Sequence, residues 1–184
     1  MRFMKRLVWI LAAAALAWSQ EKQPAEPTNV ELTVYLLSGS AQGTADDVPQ
    51  DLATTVKQLH GVFAYKNYKL TESFVLRGRS TENFNGSGAS IDGILPGNGM
   101  RYRFGYRRLW VTGSPPRTVH VDSLNLYLSR APVTTKDGKQ RSDNVASIET
   151  NLDIRDGQKT VVGKSSINTG GDALILVIVP KVIE

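Results

Sequence analysis

Apolar residues recur at every second position over much of this chain, and a period of two builds strands rather than helices. Val30, Leu32, Val34 and Leu36 share one parity, with Glu31, Thr33 and Tyr35 between them. Tyr68, Leu70, Glu72, Phe74 and Leu76 alternate with Lys69, Thr71, Ser73, Val75 and Arg77. From Met100 to Thr112 the pattern returns, with Met100, Tyr102, Phe104 and Tyr106 set against Arg101, Arg103, Gly105 and Arg107. Ala146, Ile148, Thr150, Leu152 and Ile154 repeat it among polar neighbours. Each segment reads as a strand buried on one face. Ala173 to Val179 (ALILVIV) is apolar throughout, the mark of a central strand buried on both faces. Pro180 is expected to end that strand or to mark an edge.

Two segments depart from simple alternation. In Thr118 to Ser129, Val119 and Val121 share one parity while Leu124, Leu126 and Leu128 share the other. A β-bulge at Asp122-Ser123 would keep both sets facing the core. Leu52, Val56, Leu59 and Phe63 are spaced by four, three and four residues, a single helical stripe. Asp46 or Asp47 is placed to cap that helix, Pro49 suits its first turn and Gly61 its end.

Ser38 to Asp47, Asn83 to Gly99 and Ala131 to Asp143 read as loops, the second with room for a short strand near Ile91. Gly113 to Pro116 and Thr169 to Asp172 read as turns. Asp156-Gly157 predicts a hairpin, with Lys159 to Gly163 as the return strand. The expected fold class is α+β and strand-dominated, with one N-terminal helix packed on a mostly antiparallel sheet or sandwich. Residues 30–184 suffice for a single domain with a real core.

The first nineteen residues read as an export signal. Arg2, Lys5 and Arg6 precede an apolar run, Leu7 to Leu16, that is too short to span a bilayer. Ala17-Trp18-Ser19 offers cleavage before Gln20, and Ala15-Leu16-Ala17 a second site before Trp18. Residues 20–29, QEKQPAEPTN, read as a disordered linker. The net charge of +5 is partly a property of this leader, since without its three cations 19 basic residues face 17 acidic ones. Such a balance in an exported chain argues against a nucleic-acid partner. The expected location is periplasmic or secreted, with membrane contact at most peripheral after cleavage. The chain has no Cys, so no disulfide holds the fold and no thiolate is available to bind metal or attack a substrate.

Residues that could carry chemistry are sparse. His60 falls at the helix end, where a cation meets the helix dipole favourably. His120 alternates with Val119 and Val121 and so faces solvent. Neither has metal-binding spacing, and no GxSxG or SxxK motif occurs. The closest acidic pairs, Asp46-Asp47 and Asp153/Asp156, are accounted for by a cap and a turn. No catalytic residue, cofactor or metal site is expected.

Arg101-Tyr102-Arg103-Phe104-Gly105-Tyr106-Arg107-Arg108 is the sharpest local feature. Aromatics and arginines on opposite faces would place the rings in the core and leave Arg101, Arg103 and Arg107 as a docking face. The other arrangement exposes Tyr102, Phe104, Tyr106 or Trp110 as a stacking platform beside the Gly-rich loop, giving a small-ligand or glycan-binding module.

Ile148 to Val179 (IETNLDIRDGQKTVVGKSSINTGGDALILVIV) resembles the closing hairpin of secretin-type outer-membrane proteins. The positions that carry the resemblance are Thr150, Asp156, Gly157, Gln158, Val161, Val162 and Gly163. Lys164 stands where those proteins carry a second Gly, and the chain is too short for their ring-building modules. The resemblance therefore implies a small exported relative, or a hairpin of convergent sequence, rather than a complete channel. Together these readings lead to the expectation of a non-enzymatic binding or assembly protein of the bacterial envelope. It would serve as an accessory of a secretin or pilus-like system, with an envelope protein or a second copy of itself as partner.

Overall fold

The computed structural model describes residues 28–183 apart from 44, 81–87, 98, 132, 135–136, 138–139, 142 and 168–170. The leader, residues 1–19, and most of the linker lie outside the described residues.

Among the described residues the chain forms one α-helix and eleven strands. In order these are β1 (Asn29–Ser40), α1 (Ala53–Val62), β2 (Asn67–Arg79), β3 (Ala89–Ile94), β4 (Arg101–Tyr106) and β5 (Arg108–Thr112). β6 (Thr118–Ser129), β7 (Val133–Thr134), β8 (Gln140–Arg141), β9 (Asn144–Arg155), β10 (Thr160–Ser166) and β11 (Ala173–Ile183) follow. One sheet has the order β10-β11-β1-β2 and the other β3-β4-β6-β5, with β9 on the free side of β6. All named pairings are antiparallel. The two sheets pack face to face, and α1 covers the back of the first. The α+β, strand-dominated reading holds.

The alternation produces the layer between the sheets. Val30, Leu32, Val34 and Leu36 of β1 meet Tyr102, Phe104, Leu124, Leu126 and Leu128 of the opposite sheet, all buried. The stripe of α1 and of the turn that enters it makes the second layer, where Leu52, Val56 and Leu59 pack on Leu37, Tyr68, Ile175 and Val177. β11 lies between the two layers. It sends Leu174, Leu176 and Ile178 one way and Ile175 and Val177 the other, which is why its sequence is apolar throughout.

Bulges set which layer a residue enters. The expected one on β6 forms. Ser123 has φ 51°, and Val121 pairs with Leu152 while Leu124 pairs with Thr150, so Asp122 and Ser123 stand opposite Asn151 alone. A second lies in β2, where Leu36 pairs with Glu72 and Leu37 with Leu70, leaving Thr71 as the extra residue. It splits the row Tyr68 to Leu76. Tyr68 and Leu70 face the helix, while Phe74 and Leu76 face the other sheet. The segment Met100 to Thr112 also divides, at Arg107. Beyond the break Leu109 and Val111 face inward and Trp110 outward, reversing the parity of β4.

Four other expectations are corrected. Neither Asp46 nor Asp47 caps the helix, which is entered through a 3₁₀ turn, Gln50–Leu52, behind Pro49. Instead the Tyr68 amide donates to Asp46 Oδ1 at 2.8 Å, and Asp47 forms a bridge with Lys69, so both acids fasten the chain to the start of β2. Gly61 lies inside α1, and Phe63 ends the helix in an extended conformation. Pro180 neither ends β11 nor lies on an edge. It pairs with Leu32 within a central strand, just past Thr160, the last residue of β10 paired with β11. Its carbonyl accepts from Gly157 on that side, and a residue's N–H and C=O point the same way in a strand, so its missing N–H falls where the ladder requires none.

The fourth correction concerns Asp156-Gly157. The turn forms, with Gly157 at φ 74°. It does not close a hairpin, because β9 pairs with β6 and β10 with β11. The turn carries the chain from one sheet to the other. Asp156 secures the crossing, accepting from the Val182 amide at 2.9 Å through Oδ1 and donating its own N–H to the Arg117 carbonyl at 2.9 Å.

Candidate functional site: the outer face and free edge of the second sheet

The outer face of β4 and β5 carries the arginines. Tyr102, Phe104 and Tyr106 are buried, so they form core and not a stacking platform. Phe74 stacks on Tyr102 with centroids 5.4 Å apart, and its edge meets Phe104 at the same distance. The Tyr106 ring ends over Gly78, where any Cβ would collide with its hydroxyl. That hydroxyl has no hydrogen-bond partner among the described residues, and burial holds its pKa above the ordinary phenol value.

Arg101 and Arg103 are exposed on the outer face of β4, and Arg107 is exposed at the break that follows it. Much of their charge is met within the sheet. Arg103 Nε donates to Asp92 Oδ1 at 2.7 Å across β4 and β3, which pulls the Asp92 carboxyl below its ordinary value. Arg107 and Arg108 both donate to Asp122 Oδ2, at 2.9 and 2.7 Å. Asp122 is accordingly held below the ordinary carboxylate value, first by Arg108 and then by Arg107. The β6 bulge and the Arg107 break are thus one junction, closed also by the Arg107 amide donating to the Asp122 carbonyl at 3.0 Å.

Beside that junction the register assembles a polar array across three strands. Trp110 of β5, His120 of β6 and Asp153 of β9 are direct cross-strand neighbours. The indole stacks on the imidazole at 5.0 Å with planes 8° apart. His120 Nδ1 lies 2.6 Å from Asp153 Oδ1, and Nε2 lies 2.7 Å from Thr112 Oγ1. A hydroxyl, an imidazole and a carboxylate in that order are the parts of a nucleophile, its base and an orienting acid. They sit on an open sheet face, where stacking and both hydrogen bonds pin β5, β6 and β9 together. His120, expected in solvent, is mostly covered by these partners, with 20% of its side chain exposed.

His60 reaches Asp46 Oδ2 at 2.9 Å through Nε2 and meets the edge of Tyr68 at 4.8 Å. Among the described residues no three metal-type ligands converge, and no helix is long and apolar enough to cross a membrane. Two shallow grooves exist. One of about 280 Å³ lies by Leu95, Pro96 and Ile167, and one of about 410 Å³ by Arg117, Asp156 and Lys181.

The residues of the secretin-like segment do not converge. Thr150 faces inward near the middle of β9, and Asp156, Gly157 and Gln158 form the crossing between sheets. Val161, Val162 and Gly163 lie on β10, with Val162 the extra residue of a bulge against β11.

No protein-family model matches the chain, and no curated protein matches it. Among solved structures it is similar to the T2SS secretin XcpQ from Pseudomonas aeruginosa, at 11% identity and a TM-score of 0.38, over 95% of this chain. The match spans 63% of that chain, less than two thirds of its length. This is a weak likeness to a secretin in fold alone, with no family found from the sequence.

Proposed function

We propose that the chain is an exported, non-enzymatic binding or assembly protein of the bacterial envelope, working through its sheet surface and edges. The carrying observation is that its distinctive polar groups lie on a flat face beside an open strand, β9, rather than converging in a cleft. Flat sheet faces and free edges recognise other polypeptides by strand addition and side-chain complementarity. Export is supported by the character of residues 1–19. The finer reading, an accessory of a secretin or pilus-like system, is supported by the sequence of Ile148 to Val179.

The test is made in cells. A tagged chain is fractionated, its N-terminus is read by mass spectrometry, and the periplasm is cross-linked. Recovery outside the cytoplasm with residues 1–19 removed, together with discrete cross-linked species, is expected. Retention in the cytoplasm overturns the export reading. Hydrolysis of an activated ester that is lost in both Thr112→Val and His120→Gln overturns the non-enzymatic one.

A further inference from the structure

The two main sheets expose five edge strands, and four carry devices that discourage pairing. β2 is interrupted at Thr71, bears Lys69, Arg77 and Arg79, and has its Tyr68 carbonyl and Leu70 amide taken by Asp47. β3 is only six residues long, and β5 only five, with its Val111 amide already donating to Ser80 Oγ at 3.0 Å. β10 is seven residues long, bulged at Val162, and carries Gly163 and Lys164.

β9 differs from all of them. It is twelve residues long and contains no Pro, Gly or Lys. Its own irregularity lies at Val145, near its start, and the bulge opposite Asn151 belongs to β6. From Ala146 to Arg155 it is regular. Among the described residues its outer edge receives one backbone hydrogen bond, from the Gln158 amide to the Arg155 carbonyl at 2.9 Å.

We propose that β9 pairs antiparallel with β9 of a second copy of this chain, joining the two β9-containing sheets into one. The charges on its outward row identify that occupant. The row reads Ser147, Glu149, Asn151, Asp153, Arg155. A two-fold axis at Asn151 would set Glu149 against Asp153 twice, and like charges directly opposite are unfavourable. An axis at Leu152 sets Glu149 against Arg155 of the partner subunit twice, and Asn151 against Asp153. The strand is therefore complementary to itself in that register, which is what a two-fold interface requires. Thr150, Leu152 and Ile154 of the two copies then extend one inner face. Asp153 is already fixed by His120, so the array across β5, β6 and β9 keeps the pairing strand straight.

This inference deepens the binding reading above and rests on it. The test is light scattering and sedimentation of the native, processed chain over a concentration series. A concentration-dependent dimer is expected. Glu149→Arg and Arg155→Glu, each set against a like charge, should weaken it by roughly tenfold. The double exchange should restore it. Hydrogen exchange on the unaltered protein supplies a second readout that needs no variant, since amides between Glu149 and Arg155 should slow as the dimer fills. A monomer at every concentration overturns the inference, as does a dimer indifferent to both substitutions or one that leaves β9 unprotected. A monomer that still forms cross-links in the periplasm overturns self-pairing and leaves the binding reading standing. A monomer without cross-links overturns both.

Discussion

The layer between the sheets and the layer beneath the helix are built from the same kinds of residue, yet they are specified differently. Between the sheets every β-strand longer than two residues contributes a buried or half-buried side chain, and the period of two puts it there. Beneath α1, three helical residues meet four from the back of the sheet. One layer follows from alternation and the other from a stripe, and Leu36 and Leu37 show how they are divided. These neighbours are both fully buried, one in each layer, because a strand turns successive side chains to opposite faces. The bulge at Thr71 lets β2 serve both layers in turn. β11 and the Leu36–Leu37 pair serve both layers by alternation alone, whereas the edge strand β2 does so by a change of phase.

The contrast can be sharpened by substitution. Phe104→Ala removes a fully buried ring from the larger layer and should cost about 3–5 kcal/mol in urea unfolding. A loss under about 1 kcal/mol would mean that layer is loosely packed. Gly78→Ala should cost about 2–3 kcal/mol, because the new methyl meets the Tyr106 hydroxyl and that ring is locked between the sheets. Combining it with Tyr106→Phe should recover most of the loss. Tyr106→Phe alone should be near neutral, since the hydroxyl it removes has no partner among the described residues. Failure of the rescue would show that the backbones, not the hydroxyl, set the approach. Leu59→Ala in the smaller layer should cost about 2 kcal/mol, less than Phe104→Ala, because α1 is held by one face and can settle toward the sheet. Equal losses at the two sites would erase the distinction.

The smallest effect lies on the exterior, at Asp122. Its folded pKa is depressed by Arg108 and Arg107, so its contribution is present above the unfolded carboxylate pKa and is lost as pH falls through the folded one. Arg108→Gln should raise the Asp122 titration midpoint, read by carboxyl NMR, toward the ordinary value, with Arg107 retaining part of the shift. An unmoved midpoint would assign the depression to the bulge itself.

Much of this was legible in the sequence, and the gaps have physical causes. The parity switch between Val121 and Leu124 announces a bulge because both sets are strongly apolar. The bulge at Thr71 leaves a fainter trace, Glu72 in an otherwise apolar row, because the residues on its two sides keep one parity while entering different cores. Aspartates ahead of a helix suit a cap, but Asp46 and Asp47 found stronger use at the start of β2, a contact remote in sequence. Asp156-Gly157 specifies a reversal locally and says nothing about which sheet receives the next strand. The facing of Trp110 and His120 could have been read from the turn at Gly113 to Pro116, which fixes the β5–β6 register. The arrival of Asp153 depends on β9 and could not. The exposure of Arg101, Arg103 and Arg107 is legible from the alternation, while their acidic neighbours become visible only with cross-strand register.

The pairing of β1 with β11 has a temporal consequence. Asn29 lies opposite Ile183, so the first and last strands of the sheet are direct neighbours and the last stands between β1 and β10. No earlier subset of strands can close this sheet. Until residues 173–183 are available, β1 has only β2 beside it, β10 has no partner and both hydrophobic layers lack a wall. Contacts so distant along the chain also make for slow closure. A polypeptide wired in this way stays open during synthesis, and its final strand is the step that locks it.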